Sequence, residues 1–213
     1  QSFDFDGSSS INFGDSDDFS FGDSVTDSPF SISVWVNKNS GELLRPFNKY
    51  TSSSKSEYNL VWATDNIIYF ALSDLADSNR RGRKTSAITS GLGEWNHIVA
   101  TYDGRGGTNA DDGIKIYLNK TRVDNAYNSK NNYTAMHNTN SNLLMQQRGT
   151  GYGEGKISNS QIYNIELSST QVETLYNNGV PLTTAIASDN LKLWSKLDNT
   201  ATFSTNWSVP DAS

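Results

Sequence analysis

Apolar and polar residues alternate along most of the chain. Phe3 and Phe5, Ile11 and Phe13, and Phe19 and Phe21 each fall two apart in polar company, and Ser31-Ile-Ser-Val-Trp-Val36 repeats the step. A period of two carried by aromatic and β-branched side chains marks strands that bury one face. Further strands are predicted over 42–50, 58–64 and 66–72, separated by Ser-rich and Asp-Asn turns, which gives a meander. Residues 73–93 hold few apolar groups and contain Arg80-Arg-Gly-Arg-Lys84, so they read as a long exposed hairpin or loop. Trp95–Tyr102 and Ile114–Leu118 form the clearest strand pair, joined by the Gly/Asp-rich connection Asp103–Gly113. A polar stretch over 125–141, a short strand over 143–147, a glycine-rich turn over 149–155 and a strand over 156–165 follow. Helical spacing is confined to 168–178, where Val172, Leu175 and Tyr176 sit at i, i+3 and i+4; Ser168 or Ser169 caps it, and Gly179 with Pro181 ends it. Leu191–Leu197 closes as a strand.

The elements add up to an all-β, two-sheet antiparallel β-sandwich with one short helix near the C-terminus. Trp35, Trp95, Ile98, Ile116, Leu118 and Ile162 occupy the expected inward positions. With 213 residues, no internal repeat and no break in composition, one domain over 1–197 is expected, followed by a loosely ordered Ser/Thr-rich C-terminal tail over 198–213. Seventeen Lys plus Arg against 23 Asp plus Glu give a net charge of -6, the wrong sign for a phosphate-backbone partner, so nucleic acid is set aside. The absence of Cys removes disulfides and thiolate metal sites. No apolar stretch approaches the roughly 20 residues a spanning helix needs, so membrane insertion is not expected. The chain starts at Gln1, as a processed protein or an excised domain would.

Several pieces together resemble the laminin-G-like domains of the concanavalin A-like lectin/glucanase superfamily, which implies a jelly roll. They are Phe3-Asp-Phe-Asp-Gly7, Phe30-Ser-Ile-Ser-Val-Trp-Val36, the pair Gly93–Gly104 and Ile114–Asn119, and Ile157–Asn177. The family commonly has Asp-Gly where Asn119-Lys-Thr stands here, so that turn is not expected to be a two-residue hairpin. Related domains hold a structural calcium near such positions, and the resemblance implies Asp6, Asp103, Asp111 and Asp112 as metal candidates. The alternative is that these aspartates only shape turns. The acidic run Asp15–Asp18 with Asp23 and Asp27 reads as a solvated loop.

Laminarinase-like enzymes of the superfamily carry Glu-x-Asp-x-x-Glu on one strand, which brings the carboxylates onto one concave face. No Glu-x-Asp occurs here, only six Glu are present, and His97 and His137 are the only histidines, so no catalytic residues are assigned. His97 lies inside an alternating strand and reads as structural. For a glycan, exposed aromatics beside amides and charged groups are needed; the ligand-binding candidates are Trp62, Tyr152, Arg148, Tyr133 and Asn132, with Tyr50, Tyr127 and Asn131 as further members. The Arg80–Lys84 run is a candidate grip for an acidic glycan or an acidic protein surface. Asn119, Asn132 and Asn206 open glycosylation sequons, which matter only in a eukaryotic secretory setting.

These features point to a non-catalytic surface recognition or attachment module, extracellular or on a virion. Its expected partner is a surface glycan or other structural protein subunits, with a homo-oligomer also in view. The style of the sequence leans toward a bacteriophage fibre or capsid-decoration protein. Two alternatives stay open. One is a purely structural protein-contacting subunit, with Phe203 and Trp207 of the tail as a docking arm; the other is a glycoside hydrolase or lyase.

Overall fold

The computed structural model describes residues 2–197, 202–203, 207–208 and 210–213. The first strands are β1 (Phe3–Asp6), β2 (Ile11–Asn12), β3 (Phe30–Asn37), β4 (Leu44–Ser52), β5 (Lys55–Trp62), β6 (Ile68–Asp74) and β7 (Ala76–Thr85). Next come β8 (Trp95–Tyr102), β9 (Ile114–Leu118), β10 (Thr121–Arg122), β11 (Asp124–Lys130), β12 (Leu143–Met145), β13 (Gln147–Arg148), β14 (Gly151–Tyr152) and β15 (Glu154–Tyr163). Helix α1 (Ser169–Tyr176), β16 (Leu191–Ser195) and the two-residue strands β17 (Thr202–Phe203) and β18 (Trp207–Ser208) complete the order.

Two antiparallel seven-stranded sheets face each other. The first runs β1-β15-β3-β8-β9-β10, with β16 also pairing β15; the second runs β11-β7-β6-β5-β4-β12-β2. Strand β15 gives one half of its edge to β1 and the other half to β16, and its opposite edge to β3. Alternation sends Phe30, Ile32, Val34 and Val36 of β3 and Ile98, Ala100 and Tyr102 of β8 inward. They meet Tyr58, Leu60 and Trp62 of β5 and Phe70 and Leu72 of β6, and all are buried. Each such side chain contributes about 1.5–3 kcal/mol by leaving water, so this layer holds the sheets together.

A second apolar layer covers the outer face of the first sheet. Val99, Tyr117, Tyr163, Leu191 and Trp194 pack beneath Val172 and Leu175 of α1, joined by Leu182 and Ile186. Eight residues make too short a helix to stand alone in water, so packing and caps hold it. The caps are a reciprocal pair: Ser168 Oγ accepts the Gln171 N–H at 3.3 Å, and Gln171 Oε1 accepts the Ser168 N–H at 2.9 Å.

The sandwich and the short helix are as the pattern predicts, and the jelly-roll class is as the resemblance implies, but four local expectations are corrected. Trp35 is buried, yet it alternates against Val34 and Val36, and so lies under α1 instead of between the sheets. Trp95 is 42% exposed. Residues 76–85 form a full strand: Leu75 takes a positive φ of 54° to turn the chain, and Arg80–Lys84 pairs with β6 and β11. Asn119 and Lys120, with φ of 48° and 68°, do make a two-residue hairpin, since Thr121 pairs with Leu118. Asn tolerates the left-handed region, and two positive φ values match the twist of the strands.

At the C-terminal end, Trp194 N–H donates to Asp211 Oδ1 and Ala212 N–H donates to the Trp194 carbonyl, both at 2.8 Å. The expected looseness of the tail falls on positions 198–201, 204–206 and 209, with Asn206 among them; these lie outside the described residues, as do the side chains of Phe203 and Trp207.

Candidate functional site

A cleft with a volume of about 570 Å³ opens on the outer face of the first sheet. Trp95 and Trp35 form its aromatic wall; Asn159, Thr183 and Lys196 supply polar groups, and Pro181 closes one side. Three local features build it. Trp95 begins β8 opposite Asn37, at the end of the strand where the covering layer stops. Trp35 stacks on His97 and Tyr176, with ring centroids 4.9 and 5.9 Å away. Asn159 takes a positive φ of 47° where the β15 to β3 register slips. Its Nδ2 donates to the Leu182 carbonyl at 3.0 Å and its Oδ1 accepts the Trp194 Nε1–H, so this one amide pins the 180–183 segment beside the cleft. The result is a half-exposed indole facing a fixed amide, a hydroxyl and an ammonium. An indole in that setting can stack on an apolar ring face while the polar groups take hydroxyls.

The second sheet carries a different set on its outer face. Asn48 and Asn59 pair across β4 and β5, on the face opposite Phe47 and Leu60, and continue into Ala71 and Gly82. The β13–β14 hairpin brings Arg148 to this face, with its guanidinium carbon 4.1 Å from the Tyr50 ring centroid and its Nη2 2.7 Å from Asp77 Oδ1.

The sequence-predicted ligand residues divide. Arg148 joins Tyr50; Tyr152 is 38% exposed but stands opposite Gln147, on the other side of the hairpin from Arg148. Asn132 is exposed. Trp62 and Tyr133 are corrections. Trp62 is wholly buried in the core beside Lys38, and Tyr133 is 4% exposed with its hydroxyl donating to Asp27 at 2.7 Å. Neither presents a face to a ligand.

Asp27 is likewise no solvated loop residue. It accepts the Tyr102 and Tyr133 hydroxyls at 2.6 and 2.7 Å and the Met136 N–H at 2.7 Å, and burial raises its pKa despite those bonds. Arg81 and Arg83 of the basic run point the opposite way from Arg80. Arg83 reaches Asp124 at 2.7 Å and Arg81 reaches the buried Asp111 at 3.5 Å, so only part of that run is available to a partner.

The four metal candidates are not brought together. Asp6 is bound by Ser8 and Ser9, whose hydrogen bonds lower its pKa. Asp103 is gripped by Arg105, whose hydrogen bonds and charge outweigh burial and hold its pKa low. Asp111 faces Arg81 and Lys130, and Asp112 accepts the Tyr127 hydroxyl at 3.0 Å. Among the described residues no three His, Cys, Asp or Glu cluster in a way that could hold a metal. As placed, these aspartates do not fit one calcium cage, which needs several free oxygens around one point.

The family model of the concanavalin A-like lectin/glucanases superfamily matches residues 5–173. The chain belongs to that superfamily. No curated protein matches this lectin/glucanase-superfamily domain in sequence. Among solved structures it is similar to a Bacteroides ovatus protein described as a candidate carbohydrate-binding protein: TM-score 0.59, 16% identity, 88% of this chain and 50% of that one. It is also similar to the botulinum neurotoxin serotype G binding domain, with TM-score 0.55, 15% identity and coverage of 83% and 46%. The serotype D binding domain gives 0.57, 13%, 84% and 42%. The domain thus spans about half the length of these proteins, and identities this low establish the shared fold.

Trp95 was missed as a surface residue because its place in an alternating strand reads as inward. Arg45, which lies close to Arg148, carried no signal at all, since the hairpin that brings Arg148 to it follows about 100 residues later.

Proposed function

We propose that the domain is a non-catalytic recognition module for a glycan, seated on Trp95 in the cleft of the first sheet and displayed outside a cell or on a bacteriophage particle. The observation that carries this reading is the exposed indole. A side chain that large gains most by burial, and here it stands 42% exposed at the mouth of a cleft with fixed polar groups. The similarity to a candidate carbohydrate-binding protein supports the glycan; the superfamily's enzymes are the rival reading. Four of the six glutamates are already committed, which favours binding over hydrolysis. Glu57 is buried 3.3 Å from Lys49, Glu42 holds Asn39, and Glu166 and Glu173 pair with Lys115 and Lys120.

A glycan array followed by titration of the hits, read through tryptophan fluorescence, tests the proposal. Trp95→Ala is expected to weaken a hit at least tenfold, about 1.4 kcal/mol, with the melting temperature nearly unchanged. An empty array, undiminished binding by the variant, or hydrolysis of the bound glycan would each refute it.

A further inference from the structure

On the outer face of the second sheet, two guanidiniums share one carboxylate and a third lies beside them. Arg148 Nη2 and Arg80 Nη1 lie 2.7 and 3.4 Å from the same Oδ1 of Asp77. Arg45 has no acidic partner among the described residues, and it lies close enough to Arg148 for the two charges to act on each other. A side chain added at Gly151, the hairpin partner of Arg148, would meet Arg45 Nη2 at 3.7 Å. The cluster is thus strongly positive in a chain whose net charge is -6.

The arrangement is held in place yet unsatisfied. Tyr50 fixes the plane of the Arg148 guanidinium. The Nε atoms of Arg45, Arg80 and Arg148 are buried without a hydrogen-bond partner among the described residues, and so are both amide atoms of the wholly buried Asn48. Buried donors without partners are rare in native structures, and each calls for a water, an ion or a ligand group to satisfy it. A planar, forked, permanently charged donor set matches an oxyanion that accepts two parallel bonds.

We propose that Arg45, Arg80 and Arg148, beside Tyr50, bind the carboxylate or sulfate group of an acidic glycan. The Tyr50 ring beside the arginines suits the face of a sugar, and an acidic protein segment would leave it unused. The proposal deepens the glycan reading but stands on different residues, on the opposite face of the sandwich from Trp95.

Titration calorimetry of the whole domain tests it with four probes: an oligouronate, a sulfated oligosaccharide, a neutral oligosaccharide and inorganic sulfate. The expected result is binding of the oligouronate or the sulfated oligosaccharide that weakens steeply with salt. Arg45→Gln and Arg148→Gln should each weaken it at least tenfold, whereas Lys156→Gln, at an exposed ion pair with Asp4 on the first sheet, leaves it unchanged. Arg45→Gln leaves no acid unpaired, so it separates lost binding from lost folding, and circular dichroism of both variants confirms the fold. Acidic probes bound equally by these variants, uptake of inorganic sulfate alone, or an equal loss in Lys156→Gln would overturn the proposal. Neutral-glycan binding that depends on Trp95, with the acidic probes inert, would overturn it while leaving the broader glycan reading intact.

Discussion

His97 shows how much one covered ring commits the domain to a pH range. Its ring stacks on Trp35, Nε2 lies 2.8 Å from Ser33 Oγ, and 1% of the residue is exposed. No ion pair or charged hydrogen-bond partner reaches it among the described residues, so burial alone pushes its pKa from the usual 6.5 down to about 3. Between those values the unfolded chain holds a proton that the folded chain refuses. The stability this residue supports is therefore fully present above pH 6.5 and lost as the pH falls toward 3. At about 1.36 kcal/mol per pH unit, acidification to pH 4.5 costs about 2–3 kcal/mol through His97. Asp27 and Glu57 run the other way: burial raises both, so their contribution is present at low pH and lost as the pH rises through their raised values. A His97→Phe variant keeps the stack and drops the titration. In urea unfolding, the advantage of wild type over that variant should shrink by about 2–3 kcal/mol between pH 7 and 4.5. A difference that stays constant with pH would show that the ring gains a proton without unfolding.

At the scale of elements, local chemistry and geometry disagree in the turn between β9 and β10. Asn119 suits its left-handed position and uses it, because its Oδ1 accepts the His97 N–H and its Nδ2 donates to Asn96 Oδ1, at 2.8 and 2.9 Å. Lys120, with φ of 68°, gains no such compensation beyond an exposed ion pair to Glu173. A non-glycine residue in that region costs about 1–2 kcal/mol, whereas glycine visits it freely. Lys120→Gly, which restores the Asn-Gly pair such turns prefer, is expected to raise the melting temperature by roughly 1–4 °C. An unchanged or lower value would mean that the ion pair to Glu173 outweighs the backbone strain. The same hairpin marks the limit of reading turns from sequence. A missing Asp-Gly pair argued against a two-residue loop, but the pairing of β9 with its neighbours sets the register and leaves only two residues for the turn. Arg80–Lys84 failed for a related reason: its side chains look solvated, while the strand is specified by its neighbours β6 and β11.

At the scale of the whole molecule, alternation was enough to foresee two sheets, because Phe30 through Val36 and Trp95 through Tyr102 obey it nearly everywhere. It could not say that the first sheet is covered on both faces, so Trp35 was read as facing the wrong layer and Trp95 as core. Nor could it bring Arg45, Arg80 and Arg148 together, since Arg45 and Arg80 sit on different strands of one sheet and Arg148 on the separate β13–β14 hairpin, so that they meet only through the fold. The aspartates show the same limit from the other side. They fall in Gly- and Asp-rich loops that suit calcium, yet the fold gives each a nearby partner: Arg105 for Asp103, Arg81 for Asp111, Tyr127 for Asp112 and Ser8 for Asp6. A calcium ion would have to displace two of those cations, Arg105 and Arg81, at the expense of contacts that already stabilise the turns. The melting temperature is therefore expected to agree within about 1 °C between millimolar calcium and chelator, since a ligand raises it only by binding the native state. A calcium-dependent rise of several degrees would mean that the loop around Asp103 and Asp111 rearranges to admit the ion. The rise should then vanish in Asp103→Asn, whose partner Arg105 is exposed enough to remain solvated.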